Sequence, residues 1–562
     1  VGSSGWLSAL LQRKCQISRP REFQVRHGMD LINGKDLFLV IAPGQGKTIV
    51  MFAPLLAAQA RAEAGIAFII VPTKLLTLQL SNGASKAGLR AIAINEDTLR
   101  TAQLDQRDLF KEIAAGDDVR VAVMSPQMFS GIRMHAFLRI AENRRNVRWL
   151  MVDEAHLVDE ESTVWYQPYR SIQTMRARLG SNTIWAAVTG TATPARAASI
   201  TSALGFRQGC YVNARYSVDR PNVKYIPRFF SHSVSGTDFL DIAFLIPHNM
   251  TKAQDIAITL VFCNTIETGY RVMKFLDRLI PAELPNRLGM VKLYNSLMPE
   301  SYRKKFIGDI NANSDLRIGV CTDTLVYGCD IPGVRRTVNM GIPKSRQEAK
   351  QKDLRGGRDG SPALAYSFAP EWVREVPSKM ICTKQDQVNA ERRRKLDPGV
   401  LRWFGPGPAM CPRQLDLESN GEDFQPHDPC CSVCQPQPER LLDAAANAKW
   451  AKKLAQLAPE KSTVTVRSDG TYPTLGLRTR RAFITMLLKW RASAWAQVSN
   501  KHPDEPHEWL LPTFLVDRLA DKAHVCTTFE KFKQVMAGWR YMPTHGERLF
   551  RWLSEVLAGF DD

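Results

Sequence analysis

The chain has 562 residues, too many for a single hydrophobic core, so several domains are expected. Hydrophobic residues make up 44% and charged residues 23%, which is the balance of an ordinary globular protein and excludes a disordered one. The formal net charge of +19 favours a polyanionic partner, because phosphate contacts gain affinity from counterion release; a merely basic surface is the alternative.

The cysteines and the N-terminus indicate the setting of the protein. The eleven cysteines are an odd number, and most stand singly in apolar runs, which is typical of a reducing compartment. No apolar run approaches the ~20 residues that cross a bilayer. The N-terminal segment has neither an initiator methionine nor the layout of a signal peptide. We therefore expect an intracellular setting and a chain that is a fragment.

Short apolar runs rich in β-branched residues alternate with helical patterns from about residue 30 to 375. Such runs are typical of strands buried in a parallel sheet, and the helices between them indicate βαβ units. The predicted strands are Leu37–Ile41, Ala67–Val71, Val119–Met124, Trp149–Val152, Ile184–Val188, Thr259–Cys263, Arg317–Cys321 and Thr337–Met340. The pattern occurs twice, with an apparent hinge between Phe206 and Arg228. Two doubly wound sheets with a cleft between them are expected.

A glycine-rich segment, here called the phosphate loop (residues 41–48), follows the first predicted strand and precedes a helical run. A strand, such a turn and a helix N-terminus surround a phosphate with backbone N–H groups and the positive end of a helix dipole. Lys47 would reach the β- and γ-phosphates, and the Thr48 hydroxyl would bind Mg²⁺. Gly44 and Gly46 permit the tight backbone. The sequence predicts an ATP site here.

Two adjacent carboxylates begin the DEAH sequence, here called the acidic box (residues 153–156), directly after a predicted strand. In nucleotide hydrolysis one carboxylate holds Mg²⁺, usually through water, and the other orients and deprotonates the attacking water. We assign the first role to Asp153 and the second to Glu154. An isolated DEAH in a helix would be solvated charge, but its place behind a buried strand argues against that interpretation.

Several first-half segments resemble motifs of superfamily 2 helicases. The phosphate loop and the acidic box are similar to motifs I and II, and the segment with Thr191 and Thr193 is similar to motif III. Lys74 lies in a segment that resembles motif Ia, and Ser125 lies in one that resembles motif Ib.

The second half resembles the RecQ family in particular. Residues 217–222 are similar to the RecQ signature that opens the second lobe. Residues 320–345 resemble RecQ motif V without a gap, and residues 351–360 resemble the RecQ form of motif VI. The resemblance covers roughly residues 15–440 and is most specific in motifs V and VI.

The resemblance implies a nucleotide held from two sides. Gln24 would read the adenine, and Arg355 and Arg358 would approach the nucleotide from the second lobe. Arginines delivered there stabilise charge on the transferred phosphoryl group only when the lobes close, which ties hydrolysis to movement along a strand. The nucleotide contacts implied are Gln24, Pro43, Gly44, Gln45, Gly46, Lys47, Thr48 and Asp330, with Mg²⁺ at Thr48 and Asp153, and the nucleic-acid contacts implied are Lys74, Ser125, Trp165, Tyr169 and Thr322.

The chain departs from the family pattern in two places. In the aromatic loop after the acidic box, Glu161 stands where the family has tryptophan. Stacking is worth about 1–3 kcal/mol per base, so one lost ring weakens coupling without abolishing binding. Trp165 in the same loop is either a stacking residue or a core residue.

In motif VI, Leu354 replaces a glycine of the family pattern. The ATP chemistry is nominally intact, whereas efficient unwinding is in question.

Four cysteines resemble the zinc-binding subdomain of RecQ proteins. They are Cys411, Cys430, Cys431 and Cys434, and four thiolates can enclose Zn²⁺ tetrahedrally. The adjacency of two of them is unusual because neighbouring side chains diverge, so His427 could replace one. The alternative is a metal-free connector.

Residues 478–562 carry four helical patterns that resemble the HRDC module of RecQ proteins; a divergent winged helix is the alternative. We interpret Trp490, Trp495, Trp539 and Trp552 as helix-packing residues.

The predicted class is α/β, with two RecA-like doubly wound parallel-sheet lobes, a small zinc-binding subdomain and a helical C-terminal region. The expected domains are 1–216 (first lobe, ATP-binding), 217–375 (second lobe), 376–440 (zinc-binding) and 441–562 (helical).

The predicted function is that of an ATP- and Mg²⁺-dependent 3′ to 5′ DNA helicase. We expect it in the nucleus, with single-stranded and duplex DNA as partners and no membrane. The alternatives are a DNA-stimulated translocase without strand separation, an RNA helicase, and a nucleic-acid-binding scaffold with a decayed ATPase.

Overall fold

The computed structural model divides the chain into two compact units. One unit joins residues 1–229 and 325–436, and the other joins residues 230–324 and 437–562. The structure describes residues 2–116, 118–159, 166–311, 313–326, 331–374, 383–404, 411–435, 439–457, 477–498, 507–526 and 528–558. Within these ranges, no helix combines the length and apolar character needed to cross a membrane.

The strands follow the predicted alternation with helices. The strands are β1 Asp36–Val40, β2 Gly65–Ile70, β3 Arg90–Ile94, β4 Val119–Met124, β5 Val147–Val152, β6 Ile184–Thr189, β7 Tyr211–Arg215, β8 Val223–Phe229, β9 Thr259–Cys263, β10 Val291–Tyr294, β11 Ile318–Cys321, β12 Arg336–Met340 and β13 Ala363–Ala369. The helices are α1 Ser4–Cys15, α2 Glu22–Ile32, α3 Lys47–Ala60, α4 Lys74–Lys86, α5 Glu96–Leu104, α6 Leu109–Ala114, α7 Pro126–Phe129, α8 Ile132–Arg139, α9 Ala141–Asn146, α10 Tyr166–Arg176, α11 Pro194–Ala203, α12 Ile266–Leu279, α13 Glu300–Asp309, α14 Arg346–Asp353, α15 Lys384–Arg394, α16 Pro398–Phe404, α17 Pro412–Ser419, α18 Glu439–Leu457, α19 Leu477–Ala496, α20 Thr513–Lys522, α21 Phe529–Val535 and α22 Met542–Ala558.

The first unit contains a seven-stranded parallel sheet in the order β3-β4-β2-β5-β6-β1-β7. Alternate residues of β1 enter two different cores, Leu37 and Leu39 on one face and Phe38 and Val40 on the other. Helices therefore cover both faces of the sheet, which explains the continuous apolar runs. The carboxyl ends of β1, β5 and β6 share one edge, where such sheets bind ligands.

The strands of the second lobe are parallel as well, and three of them fall in each unit. In the first unit β13 lies between β12 and β8, with Thr337 opposite Ala365. In the second unit β11 lies between β10 and β9, with Val320 opposite Val261. The predicted class of two RecA-like parallel-sheet lobes is confirmed.

The helical C-terminal region lies in the second unit and has its own core. Trp490, Trp495 and Trp539 are buried in that core, and Trp552 packs against it, so their predicted role as packing residues is confirmed. Upstream, α18 places Trp450 on the second lobe, where its indole Nε1 donates to the carbonyl of residue 246 at 2.9 Å.

All eight strands predicted from the sequence are present, but five others escaped notice. The segment predicted as a hinge between Phe206 and Arg228 contains β7 and most of β8. Both lie at sheet edges, where burial is incomplete and polar residues such as Asn213 interrupt the apolar pattern. Residues 216–222 link β7 of one sheet to β8 of the other, and the hinge stays a prediction.

Candidate nucleotide site and cysteine cluster

The phosphate loop joins β1 to α3, whose first residue is Lys47. Gly44 and Gly46 have φ angles of 79° and 84°, in the left-handed region that favours glycine. A Cβ at position 46 would lie 2.5 Å from Nε2 of Gln24, so a larger residue would displace that side chain. The loop therefore ends at a helix N-terminus, where unpaired N–H groups and the helix dipole favour an anion.

Helix α2 holds the phosphate loop from one side. Nε2 of buried Gln24 donates to the carbonyl of Gly46 at 3.1 Å, and its Oε1 accepts from the backbone N–H of Arg21 at 2.8 Å. The Arg21 guanidinium donates to the carbonyl of Gln45 at 2.7 Å. Gln24 is therefore fixed against the loop, and its contact with adenine stays a prediction.

The acidic box lies beside the phosphate loop at the end of β5. Oε2 of Glu154 is 3.8 Å from Nζ of Lys47, and the backbone N–H of Glu154 donates to Oδ1 of Asp153 at 2.9 Å. Glu154 has a φ angle of 49°, a strained conformation for a residue other than glycine. The carboxylate of Glu154 therefore lies near Lys47 while the backbone of Glu154 is strained.

The two carboxyl groups lie side by side, Asp153 buried and Glu154 half-buried, and they differ in their electrostatics. Burial raises the pKa of Asp153 to about 6, and the charge of Glu154 acts in the same direction. Burial also opposes ionisation of Glu154, but the positive charge of Lys47 lowers its pKa below the usual range. Two adjacent carboxylates sheltered from solvent in this way are donors that suit a divalent cation.

His156, the last residue of the acidic box, links three motifs. Its Nδ1 lies 2.9 Å from Oγ1 of Thr189, and its Nε2 lies 2.6 Å from Nε2 of Gln351 in motif VI. The same Gln351 nitrogen donates to Oγ1 of Thr191 in motif III at 3.3 Å. Burial lowers the pKa of His156 to about 4, so the ring is neutral and its Nε2 accepts from Gln351.

The two motif VI arginines lie in the arginine loop (residues 354–360), which follows α14. Both lower the pKa of Glu154 through their charge. The Arg355 side chain is buried and donates to the carbonyl of Val326. Cγ of Arg358 would be 3.6 Å from a Cβ at Gly44, so this side chain lies against the phosphate loop. The first unit therefore brings the lysine, the acids and the arginines together.

Arg220 contacts both the phosphate loop and the arginine loop, and sequence reasoning missed it. Its NH1 donates to the carbonyl of Pro43 at 3.0 Å, and its NH2 donates to the carbonyl of Gly356 at 3.4 Å. The signal in the sequence is its place in the segment 217–222, which resembles the RecQ signature of the second lobe. Thr48, predicted to bind Mg²⁺, is the half-buried second residue of α3.

The four predicted zinc ligands form a compact cluster. The sulfur atoms of Cys411, Cys430, Cys431 and Cys434 all lie within 4.8 Å of one another. Zn–S bonds of ~2.3 Å in a tetrahedron require sulfur separations of roughly 3.8 Å, so the donors fit Zn²⁺. The adjacent cysteines both contribute, and His427 instead contacts Oδ2 of Asp219 at 3.1 Å.

Comparisons with known proteins agree with this geometry. A family model described as DEAD/DEAH box helicase matches residues 21–200, and one described as helicase conserved C-terminal domain matches residues 243–360. The chain carries a DEAD/DEAH-box helicase domain followed by a helicase C-terminal domain. Relatives named as RecQ helicases support the RecQ-type assignment within that family.

The chain is similar to several curated proteins at modest identity. It is 23% identical over 427 residues to the ATP-dependent DNA helicase RecQ of Haemophilus influenzae, covering 74% of this chain and 61% of that protein. It is 25% identical over 383 residues to the human ATP-dependent DNA helicase Q4, covering 66% and 30%. It is 23% identical over 399 residues to the ATP-dependent RNA helicase DBP8 of Eremothecium gossypii, covering 67% and 83%. The chain thus spans less than two thirds of the length of either RecQ-type relative.

Solved helicase structures share the fold. Dbp5 of S. cerevisiae bound to RNA and ADP BeF3 has a TM-score of 0.50 at 15% identity, covering 70% of this chain and 93% of that chain. The DUF1998 helicase MrfA bound to DNA has a TM-score of 0.50 at 15% identity, covering 65% and 51%.

The predicted nucleic-acid residues lie in different environments. Tyr169 is fully buried, and its hydroxyl donates to the carbonyl of Asp153 at 3.1 Å, so its ring packs in the core and offers no face to a base. Lys74 forms an ion pair with Glu96 at 2.7 Å. Ser125 caps α7 by accepting from the N–H of residue 128.

The remaining predicted residues lie in the second unit or outside the described residues. Thr322 of motif V belongs to the second unit, where its hydroxyl lies 3.3 Å from that of Thr324. Trp165 and the nucleotide contact Asp330 lie outside the described residues, as does Glu161 of the aromatic loop.

Proposed function

We propose that the chain is an ATP- and Mg²⁺-dependent DNA helicase of the RecQ type, which moves 3′ to 5′ along single-stranded DNA and separates duplexes. The observation that carries the proposal is the convergence of a helix N-terminus, a lysine, two carboxylates and two arginines in the first unit. The residues that converge are Lys47, Asp153, Glu154, Arg355 and Arg358.

Each residue has a role that its surroundings support. Lys47 at the start of α3 would neutralise the β- and γ-phosphates. Thr48 and Asp153 would hold Mg²⁺, which would neutralise developing phosphate charge. Glu154 is ionised, because neighbouring cations lower its pKa, so it can orient the attacking water and accept a proton from it. Arg358 stabilises charge on the transferred phosphoryl group.

The substrate and the remaining sites belong to the same proposal. DNA is the proposed track because the RecQ-type relatives are named DNA helicases and the chain carries a net charge of +19. The cysteine cluster is proposed as a structural Zn²⁺ site, since its four sulfurs fit tetrahedral binding. The four-domain division and the nuclear setting remain predictions.

An RNA helicase is the second candidate. The match to the RNA helicase DBP8 covers 83% of that protein, more than either RecQ-type match covers of its relative. Superfamily 2 motors contact the backbone more than the bases, so the choice of DNA or RNA depends on contacts to the 2′-OH.

ATPase and strand-displacement assays with DNA and RNA substrates test the proposal. The native chain is compared with Lys47→Ala and Glu154→Gln, and exposed Lys35→Ala serves as the matched control. We expect DNA-stimulated hydrolysis and displacement in the native chain and in Lys35→Ala, with at least a ~100-fold loss of hydrolysis in the other two. Stimulation by RNA alone defeats the DNA assignment, and hydrolysis without displacement favours a translocase.

A further inference from the structure

Arg220 lies between the two loops that carry the nucleotide chemistry. Its side chain is 4% exposed, and its guanidinium donates in two directions. NH1 donates to the carbonyl of Pro43 in the phosphate loop at 3.0 Å. NH2 donates to the carbonyls of Gly356 at 3.4 Å and of Gly357, both in the arginine loop. One side chain therefore connects the loop expected to hold the phosphates to the loop that bears the arginines.

We propose that Arg220 is a positioning residue, which holds the arginine loop in register with the phosphate loop during ATP hydrolysis. The inference rests on the proposed ATPase function and adds to it a residue that does not touch the substrate itself. The two arginine-loop carbonyls that it binds lie between Arg355 and Arg358 in the chain. Fixing these carbonyls therefore fixes the backbone from which both arginines extend.

The chemistry of the side chain suits this role. A guanidinium presents five N–H donors in a rigid planar fork, so it can bind carbonyls on two sides at once. A lysine ammonium is a point charge on a flexible stem and cannot reproduce that geometry. A Cβ at Gly44 would lie 3.2 Å from NH1 of Arg220, so the phosphate loop packs directly against the fork. Because arginine stays charged when buried, these hydrogen bonds are charge-assisted.

Arg220 is itself held in place by half-buried Asp219 and buried Arg413. Its backbone N–H donates to Oδ1 of Asp219 at 2.7 Å, and its carbonyl accepts from NH1 of Arg413 at 3.2 Å. Arg413 is fully buried on α17, which begins just after Cys411. The backbone that carries the guanidinium is therefore fixed. A residue that sets the separation of two loops requires such a fixed backbone.

The neighbouring Asn222 provides a matched comparison. Its Nδ2 donates to the carbonyls of Gly357 at 2.8 Å and of Ser361 at 2.7 Å, so both acceptors lie at the arginine loop and its C-terminal flank. Its Oδ1 accepts from Nε of Arg220 at 3.3 Å. Asn222 thus binds only the arginine loop and its flank, whereas Arg220 binds both the arginine loop and the phosphate loop.

The first test is steady-state ATP hydrolysis by the full chain. Displacing a catalytic group by about 1 Å can cost about 100-fold in rate, so we expect Arg220→Ala to lower kcat by about 10- to 100-fold. The KM for ATP should change by less than about threefold, because the phosphate loop keeps its own contacts. Arg220→Lys should not restore kcat. Exposed Arg107→Ala, which loses only a surface ion pair, is the control.

A double-variant cycle separates positioning from a general structural defect. If Arg220 acts through the arginine loop, Arg220→Ala in an Arg358→Ala background should cost about twofold or less, far below its cost in the native chain. Equal losses in both backgrounds would overturn the inference, as would a native kcat in Arg220→Ala.

Hydrogen exchange tests the connection independently of activity. Arg220→Ala should raise the exchange of backbone amides at residues 44–46 and 356–361 together, whereas Asn222→Ala should raise it only at 356–361. Unchanged exchange at 44–46 in Arg220→Ala would also overturn the inference. Failure of the proposed function has a different signature, since the native chain would then hydrolyse ATP no faster than Lys47→Ala.

Discussion

Gln351 donates from its Nε2 to Nε2 of His156 across 2.6 Å, and both side chains are buried. This contact joins motif VI to the acidic box. Gln351 also donates to Thr191 of motif III. A single amide group therefore contacts both the acidic box, which follows β5, and motif III, which follows β6. A shift of α14 would therefore displace His156, which lies in the acidic box with Glu154.

Gln351→Leu should slow hydrolysis while sparing nucleotide binding. The substitution leaves two buried polar groups without their amide partner, at a cost of about 1–3 kcal/mol. We expect at least a ~10-fold lower kcat with a nearly native affinity for a fluorescent ATP analogue. The exposed Gln385→Leu is the control, and equal loss of binding and hydrolysis would contradict the expectation.

Stability should depend on pH through His156. Burial holds its pKa at about 4, below its ordinary value of 6.5. The unfolded chain therefore binds more protons between these values, so stabilisation that is complete above pH 6.5 is lost as the pH falls toward 4. The full loss is about 3 kcal/mol, at 1.36 kcal/mol for each pKa unit. Thermal midpoints at pH 7.5 and 5 should fall less in His156→Gln than in the native chain, and equal falls would refute this account.

Cys431→Ser should remove zinc from the protein. Cys431 is fully buried, and its sulfur lies 3.6 Å from that of Cys411, so a hydroxyl there replaces a thiolate donor in the centre of the cluster. We expect about one zinc per native chain and about none in the variant, measured by elemental analysis, with a lower thermal midpoint. Cys210→Ser, at an exposed cysteine outside the cluster, should keep its metal.

Arg540→Ala should loosen the helical C-terminal region from the second lobe. Arg540 Nε lies 3.5 Å from Oδ2 of Asp277 on α12, and both side chains are buried. Removing one partner of a buried pair costs about 3–5 kcal/mol, because the other charge is left uncompensated. Proteolysis should therefore release the region earlier, and Arg540→Met combined with Asp277→Leu should restore resistance. Arg480→Ala, from an exposed ion pair, should not alter the cleavage rate.

Much of the fold could be read from the sequence because the central strands are buried on both faces. Their continuous apolar runs identified all eight predicted strands, whereas edge strands such as β3 and β7 carry mixed patterns and were missed. Boundaries shifted by one or two residues where a polar residue such as Asp36 begins a strand.

The sequence by itself determined which residue types stand at each motif: the phosphate loop after β1, the acidic box after β5 and the arginines after α14. Local spacing decides these features, since a strand followed by a glycine-rich turn and a helix is a local structure. Only the tertiary structure decided which side chains meet. Arg220 precedes Gly356 by more than a hundred positions, and Tyr169 turned into the core instead of toward a surface. Such contacts depend on how sheets and loops pack, and that packing leaves no periodic trace in the chain.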